Sequence, residues 1–474
     1  MNASVCVMPR ACGVAGIEYE MRLRDVRAGR FGAAILCAKA TAFHASGRRQ
    51  MKLKQYALIA VAAWGSALVP VTVWADDRPL GTNVEGLLEY ARSNPEYAAM
   101  RYEADAAAHR VYPAGAFADP MFKVELQNIT NAGSDASPSL NPNKVGSTKY
   151  TLWQPIPFFG KRDLKRDVAA ADAEQAQGRA AMTWAELAMR IKTAYARYFF
   201  VMQSELLTRE ILDLLDRLET IAQVRYANGL TPQQDAIRAQ VEQTSMRGEL
   251  LMLESEQQGL RATLNSLLAR QTNSPLAPPE RLRPVPSPAR MQPEALFDRL
   301  RSRNPELFAE EARILSAEKS RELTYKNRYP DFAIGVSPIQ MGSRIGEWEV
   351  MLEMNIPLQL ESRRSQEREA ESMLAAARSR KESAFNRLSG ELSENLAGLH
   401  AAQRIEILTT TRLLPQAEAT LQAALAGYEN GKIDFATLLD AQRQIRKSKQ
   451  DRLKAQVDAQ ARLAAIERLL GENL

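Results

Sequence analysis

The chain has 474 residues, 25% of them charged and 45% hydrophobic, the proportions of a folded protein with room for two to three average domains. Its formal charge of +6 is small for that length and no dense basic stripe follows residue 50, so nucleic acid is not an expected partner. All three cysteines (Cys6, Cys12 and Cys37) precede residue 51, and a thiol-free remainder suits an oxidising compartment.

Two basic residues, Lys52 and Lys54, precede a mostly apolar run from Tyr56 to Val69. Val73-Trp74-Ala75 then places small or β-branched residues at −3 and −1 before Asp76. This is the three-part order of a secretory signal peptide, predicted over 51–75, and it leaves a mature chain beginning at Asp76. A single membrane anchor is the alternative, but with Pro70 and Thr72 the run is marginal against the roughly 20 apolar residues a span needs. Residues 1–50 then read as a non-native upstream extension, with translation starting at Met51. No cysteine stands at the cleavage site, so no N-terminal lipidation is expected.

The remainder is a duplication. Asn94-Pro95-Glu96 returns as Asn304-Pro305-Glu306, Asp119 as Asp331, and Ile156-Pro157 as Ile356-Pro357. Tyr226-Ala227-Asn228-Gly229 returns as Tyr428-Glu429-Asn430-Gly431, each followed by Ala-Gln (Ala239-Gln240, Ala441-Gln442). The first repeat is placed at 84–275 and the second at 293–474. A proline-rich connector at 276–292 reads as an extended strap.

Each repeat has one grammar: helix, two strands, a very long helix, a turn and a second long helix. Strands are predicted at about 120–130 and 147–156, the latter blurred by Trp153, and in the second repeat at about 331–341 and 347–357. Phe122, Val124 and Leu126 alternate with Lys123, Glu125 and Gln127. Val350 and Leu352 alternate with Glu347, Glu349 and Glu353. One apolar and one charged face on strands of about ten residues is the pattern of a membrane β-barrel with a wet interior, so Glu125, Glu347, Glu349 and Glu353 are candidate lumen residues. A soluble sheet with one solvated face is the alternative. Four strands cannot close a barrel alone, so several chains must share one.

From Lys161 to Tyr226 there is no proline, which predicts about 100 Å of helix at 1.5 Å per residue. The second long helix, Glu361 to Gly427, contains Pro415 as a predicted kink. Helices of this length imply coiled-coil packing. Asn228-Gly229 and Asn430-Gly431 are predicted turns. Thr231, with Pro232 behind it, and Asp434 are predicted N-caps of the returning helices. The fold class expected is mainly α, a duplicated protomer of long coiled-coil helices plus four strands.

No catalytic constellation, metal-ligand spacing or phosphate-cradling glycine loop is present in the sequence, so no enzyme and no cofactor is expected. His109 and His400 read as helix-surface residues.

The duplicated order and the two Tyr-x-x-Gly turns with their downstream Ala-Gln resemble the TolC family of outer-membrane efflux proteins, from about residue 84 to the C-terminus. The resemblance implies a homotrimer in outer-membrane lipid, in which each chain gives four strands to a shared barrel. It also implies a periplasmic α-helical tunnel, closed at its tip until a periplasmic adaptor and an inner-membrane pump, of RND type, engage it. Gln154-Pro155-Ile156-Pro157-Phe158-Phe159-Gly160-Lys161-Arg162 is similar to the strand-to-helix junction of the heavy-metal-efflux (CusC/CzcC-like) branch, and Asp119-Pro120-Met121 agrees. The second repeat departs from it, with Pro357-Leu358-Gln359-Leu360-Glu361. The cargo is therefore left open between metal ions and other small molecules.

By position relative to Tyr428, the resemblance implies a tunnel-tip role for Asp440. Thr437 stands where the family has a second aspartate, and Asp434 or Asp235 is the candidate to offset that change. Tyr226, Asn228, Gly229, Tyr428, Asn430 and Gly431 become adaptor-contact candidates. A periplasmic adaptor or an envelope coiled-coil scaffold is the alternative function, but an adaptor's single hairpin would not require two hairpins and paired strands.

Overall fold

The computed structural model describes residues 80–130 and 138–474. The predicted extension (1–50) and signal peptide (51–75) lie outside the described residues.

The first repeat opens with α1 (Val84–Ala91) and α2 (Pro95–Gly115), followed by β1 (Met121–Gln127) and β2 (Ser147–Ile156). Then come α3 (Lys161–Ala227), 67 residues without a break, and α4 (Gln233–Leu267). After the proline-rich connector, the second repeat runs α5 (Pro293–Arg303), α6 (Pro305–Lys326), β3 (Phe332–Met341) and β4 (Arg344–Met354). It ends with α7 (Leu360–Leu408), α8 (Leu414–Glu429) and α9 (Phe435–Leu470).

The repeated Asn-Pro-Glu now has a physical reason. Asn94 caps α2 by accepting from the Glu96 amide at 2.7 Å, and its Nδ2 donates to the Leu267 carbonyl at the end of α4 at 2.8 Å. Asn304 caps α6 through the Leu307 amide at 2.9 Å and donates to the Leu469 carbonyl at 2.7 Å. One buried amide in each repeat therefore starts one helix and holds the end of another.

The four strands form one antiparallel sheet in the order β1-β2-β3-β4, with β1 and β4 at its edges. The segment blurred by Trp153 is a regular strand with partners on both sides. β4 begins and ends three residues earlier than predicted. Gly342, at φ 63°, closes a tight hairpin that lets pairing start at Met341–Arg344, and Met354 already faces the first residue of β3, Phe332.

The kink predicted at Pro415 is a π turn over Thr409–Leu413, directly before α8, in which Pro415 is the second residue. Proline cannot donate to the carbonyl four residues back, and one wider turn absorbs the break. Elsewhere α3 and α6 pack closely enough that a Cβ on Gly178 would sit 2.8 Å from the Ala309 Cβ.

Below, α3, α4, α8 and α9 bury one apolar seam, with Leu215, Leu218, Tyr428, Phe435 and Leu438 almost fully covered. Each such side chain contributes roughly 1.5–3 kcal/mol by leaving water. Above, the connector lies across α3 and α9. Tyr195 donates to the carbonyls of Thr82 and Arg281 at 2.8 and 3.1 Å. Burial pushes its phenol up to about 12, so it remains a donor.

Candidate functional site

Strand alternation and register place all four acidic candidates on one face of the sheet. Glu125 lies opposite Lys149, which lies opposite Ile339, which lies opposite Glu347; Glu349 faces Ser337 and Glu353 faces Ala333. This face also carries Lys123, within 2.5 Å of Glu125, and Lys149, which pairs with Glu349. Thr151 and Ser337 share a buried hydroxyl contact at 2.9 Å. The opposite face carries Phe122, Val124, Leu152, Ile334, Val336, Trp348, Val350 and Leu352. Val350 is 79% exposed and Leu352 72%. A contiguous apolar sheet face left open to this degree needs a cover that the described residues of the single chain do not supply.

At the strand-to-helix junction, the Gly-Lys-Arg sequence acts as a clasp. Lys161, buried at the start of α3, donates to Asp331 Oδ1 and the Tyr329 carbonyl at 2.8 and 2.9 Å. Arg162 donates to the Gly115 carbonyl at 2.9 Å and lies 3.4 Å over the Phe117 ring.

At the opposite end, both hairpin turns have the predicted form. Asn228 and Asn430 donate from Nδ2 to the carbonyls of Val224 and Ala426 at 2.7 Å, and Gly229 and Gly431 sit at φ 69° and 70°. The two repeated tyrosines part company. Tyr226 is half exposed, whereas Tyr428 is buried against Phe435, its ring centroid 5.2 Å away. The Arg225 guanidinium lies 5.2 Å over the Tyr428 ring and donates to the Glu429 carbonyl at 2.7 Å. Tyr428 also donates to Asp235 at 3.4 Å.

Asp235 is therefore buried between the hairpins rather than projecting from the tip, which corrects its expected place beside Asp440. Burial raises its pKa, an effect that the Tyr428 bond only partly opposes. Asp434 caps α9 as predicted, accepting from the Thr437 amide at 2.9 Å and from the Thr437 hydroxyl at 2.5 Å. Those bonds lower its pKa, the hydroxyl bond most. Thr231 is not a cap: Pro232 occupies that position in α4 and no side chain caps the helix.

Asp440 projects with its side chain 75% exposed, and Arg443 Nη1 lies 3.7 Å away. Arg443 also bonds Glu242 of α4 at 2.6 Å, so one guanidinium serves both carboxylates. Spacing carried no signal for Arg225 or for the Arg443–Glu242 pair, whose partners lie on other helices. Arg443 and Asp440 are three positions apart on α9, a local pair that sequence reasoning missed.

A second charged cluster, also unannounced by spacing, sits under the connector. Glu467 on α9 accepts from Lys192 of α3 at 2.7 Å, from Arg283 at 2.9 and 3.1 Å, and from the Leu474 amide at 3.0 Å. Burial works to raise its pKa, but Arg283 and Lys192 outweigh it and the net direction is down. Among the described residues, no group of three or more His, Cys, Asp or Glu side chains could hold a metal ion. No described helix is long and apolar enough to cross a membrane.

Residues 296–472 match the outer membrane efflux protein family. The chain is 23% identical over 392 residues to the cobalt-zinc-cadmium resistance protein CzcC of Cupriavidus metallidurans, covering 81% of this chain and 88% of the relative. In fold it is similar to CusC (TM-score 0.71, 15% identity, 82% of this chain and 92% of the other). It is also similar to the outer membrane protein VceC of Vibrio cholerae (TM-score 0.68, 17% identity, 82% and 96%). The family match thus falls within the second repeat, and the likeness in fold extends over both repeats.

Proposed function

We propose that the chain is a TolC-type outer membrane efflux protein and serves as the outer membrane channel of an efflux pump. The observation that carries this reading is the four-stranded sheet, apolar on one face and acidic on the other, with both edges open and two pairs of long helices beneath it. Three copies would close the sheet into one barrel, apolar face to lipid and acidic face to water, because an unpaired strand edge in a bilayer is costly. The helices would then hang in the periplasm as a tunnel. A periplasmic adaptor, and through it an inner-membrane pump of RND type, would engage the tip turns. The likeness to CzcC and the acidic sheet face favour metal cations as cargo over other small molecules. Export by the signal peptide, cleavage before Asp76 and the absence of an N-terminal lipid belong to the same reading. On this view the chain conducts and catalyses nothing.

The faces supply the experiment. Val350→Arg or Leu352→Arg puts a cation on the lipid side and is expected to cost roughly 2–4 kcal/mol at mid-bilayer, seen as loss of the protein from outer-membrane fractions. Glu349→Arg is expected to reach the membrane and alter ion selectivity in single-channel recordings. The reverse ranking, or a stable monomer in detergent, would sink the channel reading.

A further inference from the structure

The sheet's two open edges can be matched to each other through the duplication. β1 and β3 begin just after the repeated aspartates Asp119 and Asp331, and β2 and β4 run towards the repeated Ile156 and Ile356. The seam between β2 and β3 thus has a counterpart between β4 and β1, which only a second copy can complete. In the observed seam Ile156 lies opposite Phe332, Leu152 opposite Val336 and Thr148 opposite Gln340. Each β2 residue is replaced by its β4 counterpart (Ile156 by Ile356), and each β3 residue by its β1 counterpart (Asp331 by Asp119). Leu352 then falls opposite the next copy's Val124, and Val350 opposite its Leu126, apolar against apolar. On the acidic face Glu353 falls opposite the next copy's Lys123.

Charge separates this register from its neighbours. Sliding one strand by two residues keeps both faces but sets Glu125 directly opposite Glu349 in one direction and Glu353 in the other. Sliding by four sets Glu125 opposite Glu347, or carries Lys123 past the end of β4 to Pro357. Like charges directly opposite destabilise a strand pair and opposite charges stabilise it. The in-chain seam has a further clasp, Lys161 on Asp331 at 2.8 Å. At the open seam the counterparts are Glu361 and Asp119, two carboxylates, which leaves the strand-level pair to set the register. We propose that copies of this chain join β4 to β1 in this register, locked by Glu353 and the next copy's Lys123. The proposal rests on the shared-barrel reading above.

Disulfide trapping tests it. In the full chain with Cys6, Cys12 and Cys37 replaced by serine, Lys123→Cys is combined with Glu353→Cys, Met351→Cys or Asn355→Cys. Outer membranes are then oxidised with copper phenanthroline and run on non-reducing gels. Directly opposite Cβ atoms lie about 4.5–5.5 Å apart and diagonal ones about 7–8 Å, so Glu353→Cys is expected to link roughly tenfold more than the other two. Preferential linking of a shifted pair, or no linking in a chain that sediments as a trimer, overturns the register and leaves the channel reading standing. A monomer overturns both. The charge arm is independent: Lys123→Glu or Glu353→Lys alone is expected to lower the trimer fraction, and the double exchange to restore it. Failure of the double exchange to restore trimers that each single exchange had lost also overturns the lock.

Discussion

In the first hairpin α3 runs unbroken, whereas the matching stretch of the second is divided by the π turn between α7 and α8. At the upper end, counting from the paired tyrosines, Asn265 of α4 occupies the place that Glu467 holds in α9. Asn265 is fully buried and donates to the Thr272 and Ser274 carbonyls at 2.9 Å, closing its own adjacent loop. Glu467 instead gathers α3, the connector and the C-terminus. At the lower end Asp235 is buried on Tyr428, and its counterpart Thr437 is held by the Asp434 cap. One pattern thus gives a locally closed first hairpin and a second one fastened by distant charges. A neutral amide can satisfy a nearby turn, but a buried carboxylate needs cations brought from elsewhere.

The largest effect is expected at Glu467. Glu467→Ala strands the buried Lys192 and the partly buried Arg283 and should cost about 3–5 kcal/mol. Asn265→Ala, which frees only neutral groups, should cost about 1–3 kcal/mol. Thermal unfolding of both variants in detergent measures the difference, and equal losses would break the comparison.

Acid sharpens it further. The Glu467 pKa is depressed in the folded protein, so its contribution is present above the unfolded carboxylate value of about 4.3 and is lost as pH falls through the lower folded value. Glu467→Gln should therefore remove part of the acid limb of the stability profile, and Asn265→Ala should leave that limb in place. The tips respond with opposite signs. The Asp434 cap, with its lowered pKa, weakens on acidification. Asp235, with its raised pKa, sheds its burial penalty as it takes up a proton. Asp434→Ala is accordingly expected to lower the midpoint less than Asn265→Ala does, and Asp235→Asn to leave it nearly unchanged at neutral pH.

Asp440→Asn should give the smallest change in stability, none being expected for an exposed carboxylate beside Arg443. Its effect is expected in single-channel recordings, as weaker cation selectivity and weaker block by divalent cations. Arg443→Gln should move selectivity the other way. Recordings unchanged by both would leave the tip charges as ordinary helix-surface residues.

Periodicity, caps and turns are interactions among residues a few positions apart, and these were legible before any coordinates. Alternation at Phe122–Gln127 and Glu347–Met354 assigned both strand faces. Asn228-Gly229 and Asn430-Gly431 marked the turns, Asp434 the cap, and the repeated Asn-Pro-Glu the second start of the pattern. Even the kink at Pro415 followed from the missing donor, although its form as a π turn did not. Tertiary structure decided the rest. It buried Tyr428 and left Tyr226 half exposed, took Asp235 from the tip into the space between hairpins, joined Arg443 to Glu242, and brought Lys192 and Arg283 to Glu467. Tyr428 and Asp235 are 193 positions apart, and Lys192 and Glu467 275. Two repeats with the same local pattern present equivalent backbones, and only the packing of one against the other determines which of two matching side chains loses its water.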